Sequence, residues 1–323
     1  MANADPIMGM MWGVAIGDAL GAPFEFRQAK PKLTYTGIVA DVPVEVKFRF
    51  ATMHIPPASI TDDTEMTIQL LDSIFVEGGG HYKEENAIKA YLQWANLKGT
   101  PLGKNTRKLM KGVKTVKGFR ARQALMEEWS QSNGSLMRCS PLALLPEEEW
   151  QAASDADVNL TNNNKVNREC SRIYLTILRS IIYDTPIKLK CSHPQIVKVL
   201  KSALRGEILD VSQKETKGWV VNALYVAVIT LFNSVSYQSG MDYIAKHFMR
   251  GDTDTLMAIA GGLLGALYGY SAMKDEPHTA LSLEKVKRYM HSSDRPSFTP
   301  IAIVRIVKVM RARDTKTKIE EED

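Results

Sequence analysis

The sequence predicts an all-α fold. Apolar residues recur at three- and four-residue spacing in run after run, whereas strand-like alternation is confined to one short region. A long stretch without charge, Leu256–Met273, is rich in Gly and Ala, which suits a helix buried among other helices.

Taken in chain order, Met8–Leu20 opens as an apolar helix. Thr34–Phe50 alternates in part but contains Pro43, so it reads as a loop or a small ribbon. Met66–Val76 places Met66, Leu70 and Ile74 on one helical face, and Glu84–Trp94 does the same with Ala87, Tyr91 and Trp94. Arg172–Ile182, Pro194–Leu204, Val220–Phe232 and Gly240–Phe248 continue the pattern up to the Leu256–Met273 run. Breaks fall at Gly78–Gly80 and Pro101–Gly103, and the Asp- and Asn-rich Ser154–Asn164 reads as a loop. No break has the character of a linker, so one domain over 1–323 is expected, with a frayed charged tail from about Asp314.

The 323 residues carry 41 basic and 36 acidic side chains, a net charge of +5, which is ordinary for a soluble protein and mild for a nucleic-acid binder. Basic residues do gather between Lys98 and Arg122. A solvated face explains them, and a surface that meets phosphate groups or another anionic partner is the alternative, so nucleic acid stays undecided. Cys139, Cys170 and Cys191 are odd in number and lack CxxC spacing, which points to free thiols and a cytoplasmic setting. The first residues lack the positive start of a signal peptide. Leu256–Met273 approaches the length of a membrane span, but Asp252 and Asp254 precede it and no second candidate stands out. No membrane partner is expected.

The chemistry concentrates in two acidic clusters, Thr61-Asp62-Asp63-Thr64 and Gly251-Asp252-Thr253-Asp254-Thr255, each opening an apolar run. Each alone is explained by a capped helix start with acidic first-turn residues. Adjacent carboxylates repel unless a proton or cation separates them. Carboxylates with Thr hydroxyls, and no His or Cys nearby, suit Mg²⁺ or Mn²⁺ rather than zinc. If the fold joins the clusters, a two-metal site results.

Glycines support that union. Gly261, Gly262, Gly265 and Gly269 lie within the second apolar run, each costing about 1 kcal/mol relative to Ala in a helix. Gly261, Gly265 and Gly269 share one face, and Gly13, Gly17 and Gly21 repeat the spacing near the N-terminus, so close helix packing is expected for both. Glu25 follows the helix stop at Gly21 and Pro23, where a loop carboxylate is the plain reading. Asn133-Gly134-Ser135 before an apolar run reads as a turn, whose backbone N–H groups can hold an anion.

Together, GDALGAPFEF (17–26), TDDTEM (61–66), LGKNTR (102–107), NGSLMR (133–138) and GDTDTLMAIAGGLLGALYG (251–269) resemble the ADP-ribosylglycohydrolase family. The resemblance implies a compact, orthogonal all-α bundle with a dimetal cleft holding two Mg²⁺ (or Mn²⁺). It places one metal on Thr61, Asp62 and Asp63, and the other on Asp252 and Thr255. Asp254 would bridge and Glu25 would lie close by. Glu25, Asp62 and Asp63 become the catalytic candidates. Asn133, Gly134, Ser135 and Met137 would line the ADP-ribose site, with Gly103, Asn105 and Thr106 in a substrate-side loop. Asn162 stands where the family often has a His, and Arg250 and Leu256 also depart from its pattern.

The implied activity is metal-dependent hydrolysis at ribose C1″, removing ADP-ribose from a modified protein or a small molecule and releasing ADP-ribose as product. Two alternatives stand beside it. One is a non-catalytic ADP-ribose-binding or structural member of the fold. The other is a hydrolase of O-acetyl-ADP-ribose or a related small nucleotide.

Overall fold

A computed structural model of the chain describes residues 4–25, 34–41, 43–47, 52–100, 102–126, 129–213, 215–249, 251–299 and 301–309. The expected tail from Asp314, and Arg250, lie outside these residues. Twelve α-helices are named by residue range: α1 Ala4–Gly21, α2 Asp62–Phe75, α3 Glu84–Ala95, α4 Lys104–Met110, α5 Val116–Ala124 and α6 Trp150–Thr161, then α7 Lys165–Tyr183, α8 Pro194–Leu204, α9 Val220–Phe232, α10 Tyr237–His247, α11 Thr253–Asp275 and α12 Pro277–Ser292. A further helical segment spans 301–309. The all-α expectation holds, with one addition. β1, Val44–Lys47, pairs antiparallel with β2, Thr52–Ile55, in register Val44 to Ile55, so the ambiguous alternating region supplies one arm of a small ribbon.

The centre of the fold is the antiparallel pair α1 and α11. Their backbones touch along a seam of glycines. A Cβ on Gly9 would lie 1.9 Å from the Gly265 carbonyl oxygen, and one on Gly13 would lie 2.1 Å from that of Gly261. Side chains there are sterically excluded, which is why helices this rich in glycine are tolerated. Neighbouring helices tie into the same seam: Tyr237 of α10 donates to Gly13 O at 2.7 Å, and Tyr174 of α7 donates to Ile259 O at 3.0 Å. Around the pair pack α2, α7, α9, α10 and α12, and one hydrophobic cluster runs from Ile7 to Ile306.

Gly269 departs from the expected three-glycine face. Its φ of 81° breaks the helical path inside α11. Asp5 of α1 then accepts from Ser271 N at 2.9 Å and Ser271 Oγ at 2.7 Å, capping the helical turns that follow the break.

Two other expectations need correction. The loop expected over Ser154–Asn164 is helical as far as Thr161. Its polar residues Ser154, Asp157 and Thr161 are buried, because Arg138 and Tyr91 reach in to bond two of them; only Asn162–Asn164 forms the break. Nor is Leu256–Met273 the single long apolar helix: Ala4–Phe24 is also long and apolar enough to cross a membrane. Both are largely covered by protein, 94% of the first window and 72% of the second, chiefly by each other.

The three cysteines are free. In the basic Lys98–Arg122 stretch, arginines cap local backbone: Arg122 donates to Lys108 O and Lys111 O, and Arg107 to Leu102 O.

Candidate metal centre

The centre is assembled at the end of the glycine seam. Gly21 closes α1 against the start of α11, where a Cβ would lie 2.4 Å from Asp254 Cα. One turn earlier on α1, Asp18 is fully buried and clamps the start of α2. Its Oδ2 accepts from Thr61 N at 2.9 Å, Thr64 N at 3.1 Å and Thr64 Oγ1 at 2.5 Å, while Oδ1 accepts from Thr61 Oγ1 at 2.8 Å. Thr61 is itself the N-cap of α2. The two acidic clusters are thus brought together, one on each side of α1.

Two groups of three carboxylates result, in each of which the facing oxygens lie within 4.8 Å of one another: Asp18, Asp63 and Asp254, and then Glu25, Asp252 and Asp254. Asp254 belongs to both. Asp63 Oδ1 and Asp254 Oδ1 are buried without a hydrogen-bond partner among the described residues. Such orphaned oxygens cost free energy unless a cation or proton meets them. The Thr255 hydroxyl stands between the groups, 3.1 Å from Asp252 Oδ1 and 3.4 Å from Asp63 Oδ2. Thr61 Oγ1 lies 3.1 Å from Asp63 Oδ2. The donor set is all oxygen, and it fits a pair of hard divalent cations that share Asp254.

Crowding raises the carboxyl pKa values. Burial, then Asp252, Asp62 and Asp18, pushes Glu25 up to about 8. Burial, then Asp18 and Asp252, pushes Asp62 up to about 7. Asp63 and Asp254 are driven well above the carboxylate range by burial and by their neighbours. Asp18 reaches about 6, because its burial is partly offset by the Thr64 and Thr61 hydrogen bonds. Asp62 belongs to neither group of three. It is half-buried at the rim, as is Glu25, whereas the other carboxylates of the centre are enclosed.

The Asn133–Ser135 turn reaches the centre through Asn133, whose Nδ2 donates to Asp252 Oδ2 at 2.9 Å. The loop before α9 backs this contact. Asn133 N donates to Gly218 O at 2.8 Å, and a Cβ on Gly218 would meet Asp252 Oδ2 at 2.9 Å. Gly134 presents its carbonyl to Arg138 Nη1 at 2.9 Å. Arg138 is buried, paired with Asp157 through Nε at 2.9 Å, and stacked on Tyr91. Ser135 is enclosed and accepts from Asn167 Nδ2 at 2.9 Å, and Met137 is buried beneath the turn.

The remaining expected substrate residues stand behind the turn. Asn162 Nδ2 donates to Ser130 O at 2.8 Å, with Ser132 O and Oγ at 3.3 and 3.2 Å, so it holds the loop that presents Asn133. Asn105 on α4 donates to Thr161 O, and Thr106 beside it is half-buried. Asp18, Gly218 and Asn167 escaped the sequence reading. For Asp18 a signal existed: a lone acid inside an otherwise apolar, glycine-spaced helix.

A family model described as ADP-ribosylglycohydrolase matches residues 2–299. An ADP-ribosylarginine hydrolase, Tri1, of Pseudomonas putida (strain GB-1) is 25% identical over 295 residues, covering 84% of this chain and 73% of that protein. An ADP-ribosyl-[dinitrogen reductase] glycohydrolase of Rhodospirillum rubrum is 24% identical over 272 residues, covering 82% and 86%. A solved structure titled as an ADP-ribosylglycohydrolase-related protein complex superposes with a TM-score of 0.60 at 21% identity, covering 88% of this chain and 98% of that one, which shows a shared fold.

Proposed function

This chain belongs to the ADP-ribosylglycohydrolase family, and we propose that it removes ADP-ribose from a modified protein side chain by metal-dependent hydrolysis at ribose C1″. The observation that carries the proposal is the membership of Asp254 in both carboxylate groups, which gives two adjoining cation positions with a common ligand. Asp18, Asp63 and Asp254 would hold one ion, and Glu25, Asp252 and Asp254 the other, with Thr61 and Thr255 at hand. Two bound Mg²⁺ or Mn²⁺ ions supply positive charge that orients a ribose diol and acidifies a bound water.

The chain's own groups divide the remaining work. Asp18 is saturated by four donors from α2 and fixes where Asp63 stands. Asn133 fixes Asp252, and it would border the nucleotide. Glu25 and Asp62, the half-buried rim carboxyls, are the candidates to meet the sugar. As water adds at C1″ and the bond to the acceptor breaks, one takes the proton of the water and passes it to the departing acceptor. The other supplies negative charge beside a sugar that becomes oxocarbenium-like.

The name of the Pseudomonas putida relative makes arginine-linked ADP-ribose the first substrate to try. The test is release of free ADP-ribose from Arg-, Ser- and nucleic-acid-linked substrates with Mg²⁺ or Mn²⁺, and again with EDTA. Release from a protein side chain that EDTA abolishes is expected. Release that survives EDTA, or turnover of small nucleotides alone, overturns the proposal.

A further inference from the structure

We infer that the groove beside α7 is a docking site for an acidic, extended polypeptide segment, and that this segment belongs to the ADP-ribosylated protein; the second half rests on the function proposed above. The groove encloses about 1120 Å³. One wall is a single face of α7, where Lys165, Arg168, Arg172 and Arg179 follow at helical spacing. The other wall is the irregular segment 185–192, which carries Lys188 and Lys190. Six cations face two carboxylates, Glu147 and Glu169.

Those carboxylates are already committed. Glu147 pairs with Arg179 at 2.7 Å, and Glu169 accepts from Ser192 N at 2.6 Å and His193 N at 2.9 Å. Arg172 is neutralised by Asp155. Among the described residues Arg168 has only neutral partners, Asn159 Oδ1 at 2.7 Å and Asn163 Oδ1 at 2.9 Å. Lys165, Lys188 and Lys190 have no ion-pair partner among the described residues. Four unneutralised cations therefore converge on one groove of a chain whose net charge is only +5, and they attract an anionic ligand.

The groove favours peptide over single-stranded nucleic acid. Of its two large aromatics, Trp150 is buried and Tyr183 is half-buried, and the Arg179 guanidinium lies over one face of each, at 5.3 and 4.9 Å, which leaves little ring surface for a base. The backbone of 186–191 makes no backbone hydrogen bond within the chain among the described residues. That edge can pair with an added extended chain. The Lys165 end of α7 is also linked to the centre through a loop. Asn164, the cap of α7, donates to Ser130 O, and Asn167 donates to Ser132 O, on the loop that sets Asn133 against Asp252. From Lys165 to Tyr183 it runs about 27 Å at 1.5 Å per residue.

The experiment titrates the Mg²⁺-loaded full chain into a fluorescent Glu/Ser peptide of about twelve residues, and into an oligothymidylate of equal length, reading anisotropy. The variant is Lys165→Glu/Lys188→Glu/Lys190→Glu, whose changes are all on exposed side chains. Peptide binding that weakens with salt and falls about tenfold or more in the variant is expected. Peptide binding unchanged in the variant, or oligothymidylate bound more tightly than peptide, overturns the docking site. In a second arm, KM for an ADP-ribosylated acidic protein should rise in the variant, while turnover of a small ADP-ribosylated substrate stays level. An unchanged KM overturns the assignment to substrate. If the unaltered chain releases no ADP-ribose, the function proposed above fails, and the peptide titration still judges the groove by itself.

Discussion

Gly13 and Gly261 meet so closely that a Cβ on the first would sit 2.1 Å from the carbonyl oxygen of the second, and one on the second would sit 2.2 Å from that of the first. Gly13→Ala therefore requires α1 and α11 to move apart. We expect a loss of about 1–3 kcal/mol or more in stability by denaturant unfolding. A weaker affinity for Mn²⁺ should accompany it, because the same seam ends at Gly21 and Asp254. Gly103→Ala, at a position with open space around it, is the stability control. Equal unfolding midpoints for the two variants would contradict the seam's role.

Asp254→Asn separates metal chemistry from folding. The substitution removes the carboxylate common to both groups and, in metal-free protein, relieves repulsion among them. Turnover should fall by about 100-fold or more, and calorimetry should no longer resolve two metal equivalents. Without metal, the variant should melt no lower than the parent chain at neutral pH. Two retained equivalents would remove Asp254 from its bridging position.

The pH dependence of the metal-free protein follows from the raised carboxyls. Folded-state values of about 6 for Asp18, about 7 for Asp62 and about 8 for Glu25 exceed the ordinary carboxylate values. Between about pH 4 and about pH 8 the folded state then binds more protons than the unfolded state, so stability falls as pH rises through that window. In EDTA, Tm should drop steadily from about pH 5 to about pH 8. Saturating Mn²⁺ binds the deprotonated cluster and should restore most of the difference. A flat profile in EDTA would show that the cluster carries no excess protons.

Arg138 is the keystone behind the Asn133 turn. Its guanidinium binds Asp157 Oδ2, the Asp157 and Gly134 carbonyls and Thr161 Oγ1, all at 2.8 to 2.9 Å. Arg138→Met leaves the Asp157 carboxyl buried and unpaired by any cation, at a cost of about 3–5 kcal/mol. Combining it with Asp157→Leu should recover part of that loss, whereas simple addition of the two single effects would indicate that they do not act as a pair.

Much of the centre was legible because its ligands are contiguous. Asp62-Asp63 and Asp252-Thr-Asp254 announce themselves as adjacent like charges, and Glu25 follows an evident helix stop. The glycine spacing of both seam helices was equally visible. What stayed hidden depends on partners distant in the chain. Helix α6 reads as loop because Asp157 and Thr161 are polar, and Arg138 and Tyr91, from other segments, make their burial favourable. Asp18 passes as one polar position within the apolar Met8–Leu20 run because its four donors lie more than forty residues away. Gly269 fits the four-residue spacing but lies where Asp5 restarts the helix, a relation that only the packed pair reveals.

The glycine seam also acts as a ruler. Asp18 and Glu25 stand at one end of α1, and Asp254 opens α11. The gap between them is measured by two polypeptide backbones in direct contact, not by side chains that could be exchanged for longer or shorter ones. Residues elsewhere in the bundle can change size while the spacing of Asp18 and Asp254 holds. A scaffold with that property can vary its rim, and with it the molecules it admits, without retuning the chemistry below.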